Sequence, residues 1–282
     1  MCYNGACLEL WVSHHVAATT AITTATKDRE RATARSPSLI FLMDAIMQSS
    51  SNQTVTLAEV RYRVKLLTKS LPTIIDAGSF RTTSGKICCS KAPTIALSFR
   101  ETQAWRVEEF ARSGCDLIER GDLVAGIANI RHMMECCAAI WYLLEIIENP
   151  VSTNTDHKAL YEKLGRLFVG SKNIFPDMPR AINVLNFIEK LDRKFPGAAK
   201  RYDRLSEISH PNWAGSAAMY SKRTDDNFTT HFGREVKDNS STRTLALGSL
   251  LIGLEIFAYA YNRITGCVPS FVDACEASLK PE

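Results

Sequence analysis

Apolar residues recur at steps of three and four along most of this chain, which is the period of an amphipathic helix. Residues 123–148 contain the longest such run and predict one long helix with a packed seam. The seam consists of Leu123, Ile127, Ile130, Met134, Cys137, Trp141 and Leu144. No segment shows the alternation of strands and helices that a parallel sheet requires. The pattern therefore predicts a mostly all-α fold, an antiparallel helical bundle around a long central helix.

Capping and helix-breaking residues set the predicted helix boundaries. Thr56 and Asp122 are predicted N-caps, and Pro211 ends a helix at His210. The predicted helices cover residues 57–71, 101–119, 123–148, 157–169, 177–195, 198–210, 242–264 and 270–279. The expected core contacts of the second are Trp105, Phe110, Leu117 and Ile118.

Two stretches between the predicted helices are rich in glycine and small polar residues. Residues 75–93 predict a linker or an irregular loop. The polar residues 212–241 predict a short irregular or hairpin insertion before the last long helix. We expect this insertion to pack over the end of helix 198–210.

Residues 1–52 lack the periodic apolar positions of the remainder. They contain a run of threonine and alanine at 17–26 and a mixed-charge patch at 27–31. Segments of this composition rarely bury enough apolar surface to offset the entropy lost on ordering. We therefore expect a poorly ordered N-terminal extension at 1–52, followed by a single helical-bundle domain at 55–280.

Charge and cysteine content indicate which partners and which cellular compartment to expect. The chain has 34 basic and 30 acidic residues, a net charge of +4 that permits an anionic partner without requiring one. Nine cysteines, with two adjacent pairs among them, fit neither a disulfide framework nor the spacing of a zinc site. We therefore expect a reducing, cytoplasmic location with no metal and no cofactor.

Residues 245–261 are apolar enough to raise the question of a membrane span. The stretch is 17 residues long and is interrupted by Gly248, Gly253 and Glu255. A span needs about 20 consecutive apolar residues, so we expect a buried core helix and no membrane. Glu255 should then have a basic or hydroxyl partner, because a lone buried carboxylate is costly.

Residues 202–212 bring together an aromatic hydroxyl, an arginine, two serines and a histidine near one helix end. Helical spacing predicts that Tyr202, Ser206 and either Ser209 or His210 share one face. Pro211 disfavours the α conformation at His210 and places its imidazole at the helix C-terminus. The helix dipole favours a protonated ring there.

A second group of polar side chains lies on the long helix. Arg131 and Glu135 are one turn apart and are predicted to pair with each other. If the two helices touch, Tyr202, Ser206 and His210 complete a buried polar cluster with this pair. Such a cluster fixes the register of two helices when its polar groups satisfy one another. A hydrolase triad is not expected, because no acid orients His210 and no oxyanion loop is visible.

Together, the polar residues at 131–135 and at 202–211 resemble the motif of a protein family. Arg131-x-x-x-Glu135 on a long helix is followed by Tyr202-x-x-Leu205-Ser206-x-x-x-His210-Pro211. Over about residues 98–265 this resembles bacterial all-helical proteins that we associate with the HEPN superfamily (higher eukaryotes and prokaryotes nucleotide-binding). The superfamily signature is an arginine followed a few residues later by a histidine at a helix end. Arg204 and His210 match it with five residues between them, whereas Leu205 departs from the polar residue, often Asn, that active members carry there.

The resemblance implies a metal-independent ribonuclease of a toxin–antitoxin or phage-defence type, with Arg204 and His210 as catalytic residues. Histidine would move the protons of the ribose 2′-hydroxyl and the 5′-oxygen, and arginine would stabilise the phosphorane-like transition state. The expected binding or supporting residues are Arg131, Glu135, Tyr202, Ser206 and Asn212. The implied partners are RNA, a second copy of the chain and an antitoxin protein.

The residues also allow an alternative, a non-enzymatic helical scaffold or a protein that binds a small anionic ligand. In that interpretation the polar cluster is structural, and Trp213 fills the core instead of stacking on a base. A two-fold dimer with both His210 side chains facing one cleft favours the ribonuclease. A sealed cluster favours the scaffold.

Overall fold

The computed structural model describes residues 55–149, 157–224 and 228–279, and most of these residues are helical. The α-helices are α1 (Leu57–Ser70), α2 (Ala92–Glu119), α3 (Leu123–Glu148), α4 (His157–Phe168), α5 (Val184–Lys194), α6 (Ala198–Ser209), α7 (Ala217–Tyr220) and α8 (Ser240–Ala277). A 3₁₀ turn covers Ala77–Ser79, and one antiparallel hairpin pairs β1 (Ser221–Arg223) with β2 (Thr230–Phe232). The mostly all-α bundle is confirmed. The predicted extension at 1–52 lies outside the described residues.

Helix α3 is the centre of the bundle. It packs against α2 and α8 along much of its length and against α5 and α6 on another side. All seven residues of the predicted seam are buried, as the three- and four-residue spacing requires. Helices α2 and α3 approach closely because both have glycine at the contact. A Cβ at Gly126 would lie 3.2 Å from the Ile118 side chain and 3.5 Å from the Gly114 carbonyl oxygen.

The turn between α2 and α3 differs from its prediction in one respect. Asp122 occupies the N-cap position, but its side chain makes no capping hydrogen bond. Its carboxylate instead pairs with Arg234 at 2.6 Å and with Arg120 at 3.4 Å. Gly121, with φ of 80°, supplies the left-handed conformation that reverses the chain.

The last helix is longer than predicted. Residues 242–264 and 270–279 were expected to form two helices, but α8 is continuous over 38 residues with Pro269 inside it. Pro269 has no N–H to donate to the preceding turn, which usually breaks a helix. Phe271, Val272 and Cys275 are buried, so tertiary packing holds the last turns in line.

Two other helices begin away from their predicted starts. Helix α2 begins at Ala92, nine residues before the expected 101, and Ala92, Pro93, Ala96 and Leu97 are buried. Helix α5 begins at Val184 instead of 177, with the Asn183 side chain capping the N–H of Leu185 at 3.1 Å. The residues before it form turns and bends, with one isolated bridge between Ser171 and Arg180. Irregular backbone, tied by the bridge between residues 171 and 180, therefore takes the place of the first predicted turns of α5.

The loop between α1 and α2 is held by the end of α8. The Asp273 carboxylate accepts hydrogen bonds from the Thr83 N–H at 2.8 Å and from its hydroxyl at 2.6 Å. The Glu276 carboxylate accepts from the N–H of Cys89 at 2.8 Å. Trp105 was expected in the core, but it is half exposed and donates its indole N–H to the Pro72 carbonyl at 2.8 Å.

Two ion pairs are buried between α1, α2 and α8. Glu255 pairs with Arg63 at 3.4 Å, and both side chains are at least 90% buried, which confirms the expected basic partner. Arg100 pairs with Glu101, whose other carboxylate oxygen accepts from Tyr261 at 2.6 Å. Burial raises the pKa of Glu255, and Arg63 opposes that increase without cancelling it.

Two helices, α3 and α8, are long and apolar enough to cross a membrane by length and composition alone. Of their most apolar windows, 61% in α3 and 78% in α8 is buried inside the bundle. That burial is what the core helices of a bundle show. The location of the protein stays a prediction.

Candidate functional site

Helix α6 carries the predicted site and is firmly bounded at both ends. Gly197, at φ of 100°, precedes it, and the Asp192 carboxylate accepts hydrogen bonds from the N–H groups of Gly197 and Ala199 at 2.9 and 3.0 Å. The helix ends at Ser209, and His210 is extended (φ −85°, ψ 151°). Pro211 therefore stops the helix where the sequence predicted, with His210 just outside it.

Four of the predicted polar residues meet across the contact between α3 and α6. Arg131 donates from Nε to Ser206 Oγ at 3.0 Å and from Nη2 to Tyr202 Oη at 3.0 Å. Tyr202 in turn donates its hydroxyl to Glu135 Oε1 at 2.8 Å, and Arg131 pairs with the same carboxylate at 3.2 Å. The Arg131 guanidinium also lies 5.3 Å from the centroid of the Tyr202 ring. We call these four residues the polar clamp.

The hydrogen-bonding groups of the polar clamp bond to one another. Tyr202 is buried, while the Arg131 and Glu135 side chains are 24% and 19% exposed. Burial, together with the hydrogen bond to Glu135, raises the pKa of Tyr202, and Arg131 opposes that rise. The phenol thus stays protonated and acts as donor to Glu135. Chemically, the polar clamp joins two helices; it presents no deprotonated nucleophile.

Arg204 and His210 are placed apart from the polar clamp. Both residues are exposed, and within the ranges that the structure describes neither side chain forms a hydrogen bond or an ion pair. They stand on the solvent side of α6 and at its end, whereas Tyr202 and Leu205 face the core.

Asn212 serves the turn that follows α6. Its side-chain oxygen accepts the Gly215 N–H at 3.1 Å, and its amide donates to the Glu207 carboxylate. A Cβ at Gly215 would lie 2.1 Å from the His210 carbonyl oxygen, so this backbone folds tightly against the helix end. Trp213 is 74% exposed, which makes the prediction that it fills the core wrong. The tight turn puts the Gly215 backbone, and not the indole, against the helix.

One arginine that sequence reasoning overlooked lies on the same helix. Arg201 is half-buried against α8, where its Nη1 donates to Ser249 Oγ at 3.3 Å and its Nε is buried without a partner. Burial lowers the pKa of Arg201, and Arg204 lowers it further. The only hint in the sequence is Gly248-Ser249 in the apolar closing segment, which leaves room for a large neighbour.

No metal centre is formed by the described part of the chain. None of its histidine, cysteine, aspartate and glutamate side chains gather in groups of three or more that would hold an ion. Comparison with protein-family models, with curated proteins and with solved structures finds no match for the chain. The site is therefore argued from its own geometry.

Breaking the polar clamp should destabilise the bundle. We expect Arg131→Ala and Glu135→Ala each to lower the free energy of unfolding by about 2–4 kcal/mol, because each leaves half-buried partners unpaired. Urea unfolding followed by circular dichroism measures the effect. Arg120→Ala, which removes an exposed arginine next to α3, is the matched control and should change stability by less than about 1 kcal/mol. Clamp variants as stable as this control would show that the four contacts contribute little.

Proposed function

We propose that this chain is a HEPN-like helical protein that cleaves RNA without a metal, with Arg204 and His210 as the catalytic residues. The observation that supports the proposal is the division of α6 into two sides. The polar clamp fixes one side to α3, while Arg204 and His210 are exposed and have no partner among the described residues. Charged groups that are left unpaired on a rigid element are available to a ligand.

The two side chains match the chemical needs of the reaction. His210 would take the proton of the ribose 2′-hydroxyl as the 2′-oxygen attacks phosphorus. The bond from phosphorus to the 5′-oxygen then breaks, and that oxygen takes a proton from a second imidazole. Arg204, a permanent cation, would stabilise the extra negative charge on the phosphorane-like transition state. The products are a 2′,3′-cyclic phosphate and a 5′-hydroxyl.

The proposal requires two copies of the chain. Six positions on a regular helix separate two side chains by about 120° around the axis. His210 lies just past the end of α6, where Pro211 has stopped the helix, so this angle alone does not keep it from Arg204. The second imidazole has to come from elsewhere. A two-fold dimer that places the two α6 ends side by side would supply both the missing histidine and an arginine opposite it. A cytoplasmic location and an antitoxin partner belong to the same proposal.

The experiment is a cleavage assay in EDTA with single variants and mixed dimers. We expect the wild-type protein to cleave a single-stranded RNA, and the Arg204→Ala and His210→Ala proteins to be inactive alone. Refolding the wild type with an excess of His210→Ala should abolish cleavage, because a mixed dimer lacks one of the two imidazoles that the site needs, whereas refolding it with an excess of Lys200→Ala should not. A Lys200→Ala protein, which loses another exposed cation of α6, is the control that should stay active. A wild type that leaves RNA intact, or needs a metal, contradicts the proposal.

A second candidate is a non-enzymatic scaffold, and the polar clamp is the observation that favours it. Its donors and acceptors satisfy one another, as expected of a group whose role is to fix helix register. For this candidate, the clamp variants lose stability while Arg204→Ala changes neither stability nor any RNA signal. Comparing melting temperature and RNA integrity across the variants separates the two candidates.

A further inference from the structure

Two arginines on α6 form a pair that neither the polar clamp nor His210 explains. Arg201 and Arg204 are three positions apart, so they are neighbours on the helix surface. Arg201 leans against α8 with one hydrogen bond to Ser249 and an unbonded, buried Nε. Arg204 is exposed. Neither guanidinium has a carboxylate partner within residues 55–149, 157–224 and 228–279.

This arrangement is unlike that of the two arginines that are fully buried within the described residues. Arg63 and Arg100 are buried, and each pairs with a glutamate. A guanidinium that leaves water without an anion loses solvation that nothing replaces. Arg201 loses water to burial and is also repelled by Arg204, and each of these effects lowers its pKa. An anion bound between the two guanidinium groups would replace the solvation that Arg201 has lost and would offset its repulsion by Arg204.

The neighbouring helix presents small residues to Arg201. Gly248 has no side chain, and a Cβ there would lie 3.7 Å from Arg201 Nη1. Ser249 donates its own hydroxyl to the Leu245 carbonyl at 2.7 Å, so it offers Arg201 only a lone pair at 3.3 Å. One hydrogen bond at 3.3 Å thus holds the guanidinium, and binding an anion together with Arg204 requires it to turn toward solvent so that Nε is exposed.

We propose that Arg201 and Arg204 together bind one phosphate group, and that in RNA this is the phosphate of the bond to be cleaved. The identity of the anion as RNA rests on the proposed function, whereas the phosphate site rests on the arginine pair alone. Guanidinium groups suit phosphate because their N–H groups can donate two parallel bonds to its oxygens. Arg201 is then a positioning residue: it holds the phosphate against Arg204, within reach of the partner copy's imidazole.

Inorganic phosphate is the first probe. Phosphorus NMR or calorimetry with sodium phosphate, at ionic strength matched by sodium chloride, should show saturable binding to the wild type. Arg204→Gln and Arg201→Gln should each weaken it about tenfold, the loss expected for one charge-assisted contact. Lys200→Gln removes an exposed cation beside the pair and should bind as the wild type does. Arg204→Gln changes an exposed residue and should fold normally. It therefore still tests the phosphate site if Arg201→Gln folds poorly.

Equal phosphate affinity in all four proteins, or none in the wild type, overturns the site. Experiments with RNA separate a failure of the phosphate site from a failure of the proposed ribonuclease activity. Loss of one phosphate contact should reduce the slope of log affinity against log salt by about one in Arg201→Gln and in Arg204→Gln. If RNA cleavage depends on Arg204 and His210 while Arg201→Gln behaves as Lys200→Gln, the function stands and the shared phosphate site falls. If phosphate binding needs both arginines but RNA is never cleaved, the site stands and the ribonuclease falls.

Discussion

His210→Ala is expected to reduce metal-independent RNA cleavage by at least about a hundredfold, and Arg204→Ala by a similar factor. A hundredfold corresponds to about 2.7 kcal/mol of transition-state stabilisation. For His210 the loss arises because it is the one histidine among the described residues at the end of α6, and imidazole is the side chain best suited to acid–base catalysis. For Arg204 it arises because a permanent charge no longer opposes the negative charge that develops on phosphorus.

Both variants should keep the wild-type stability, which separates a chemical loss from a folding loss. The two side chains are exposed and form no hydrogen bonds within the described ranges, so their removal should change the free energy of unfolding by no more than about 0.5 kcal/mol. Initial cleavage rates of a fluorescent RNA and thermal melts of the same preparations give both numbers. An Arg204→Ala protein with unchanged cleavage would end the ribonuclease assignment.

Arg63→Met is expected to destabilise the bundle by about 3–5 kcal/mol at pH 7. The change leaves Glu255 buried between α1 and α8 without its cation, while methionine fills most of the space. Arg61→Met, two positions earlier on the same helix, is the matched control. Arg61 pairs with Asp116 and Glu119 at a largely exposed site, so its loss should amount to about 0–1 kcal/mol.

The loss in Arg63→Met should depend on pH in a defined direction. Burial already raises the pKa of Glu255 in the folded state, and Arg63 is the group that opposes the rise. Without Arg63 the folded protein binds the Glu255 proton still more tightly than the unfolded chain does. Stability is therefore regained as pH falls from 7 toward the pKa of an unfolded glutamate, about 4.3.

Urea unfolding of wild type and variant at pH 7 and pH 5 measures this difference. We expect a smaller gap between the two proteins at pH 5. The double variant Arg63→Met, Glu255→Leu should recover most of the stability at pH 7, because it leaves no buried charge behind. A gap that is the same at both pH values would show that lost packing, and not the uncompensated carboxylate, is the cause.

Local sequence signals predicted those features that depend on neighbours along the chain. The limits of α3 follow from the break at Gly121 and from Asn149-Pro150, and its buried face follows from the helical period. Pro211 determines the end of α6, because its ring restricts the residue before it wherever the chain goes. The pairing of Arg131 with Glu135 and their meeting with Tyr202 and Ser206 also followed from spacing, once the two helices were assumed to touch.

Other features were decided only by contacts between distant segments. Pro269 is a helix breaker in sequence, yet buried Phe271 and Val272 keep α8 continuous through it. Trp213 was expected in the core but is exposed, because the Asn212 turn presses the backbone of Gly215 against the helix end. Arg201 has the sequence environment of a solvated cation, and only the contact of its side chain with Gly248 and Ser249 of α8 draws it inward. Secondary-structure propensity acts over a few neighbouring residues. Burial depends on which surface a segment packs against, and residues distant in the sequence form that surface.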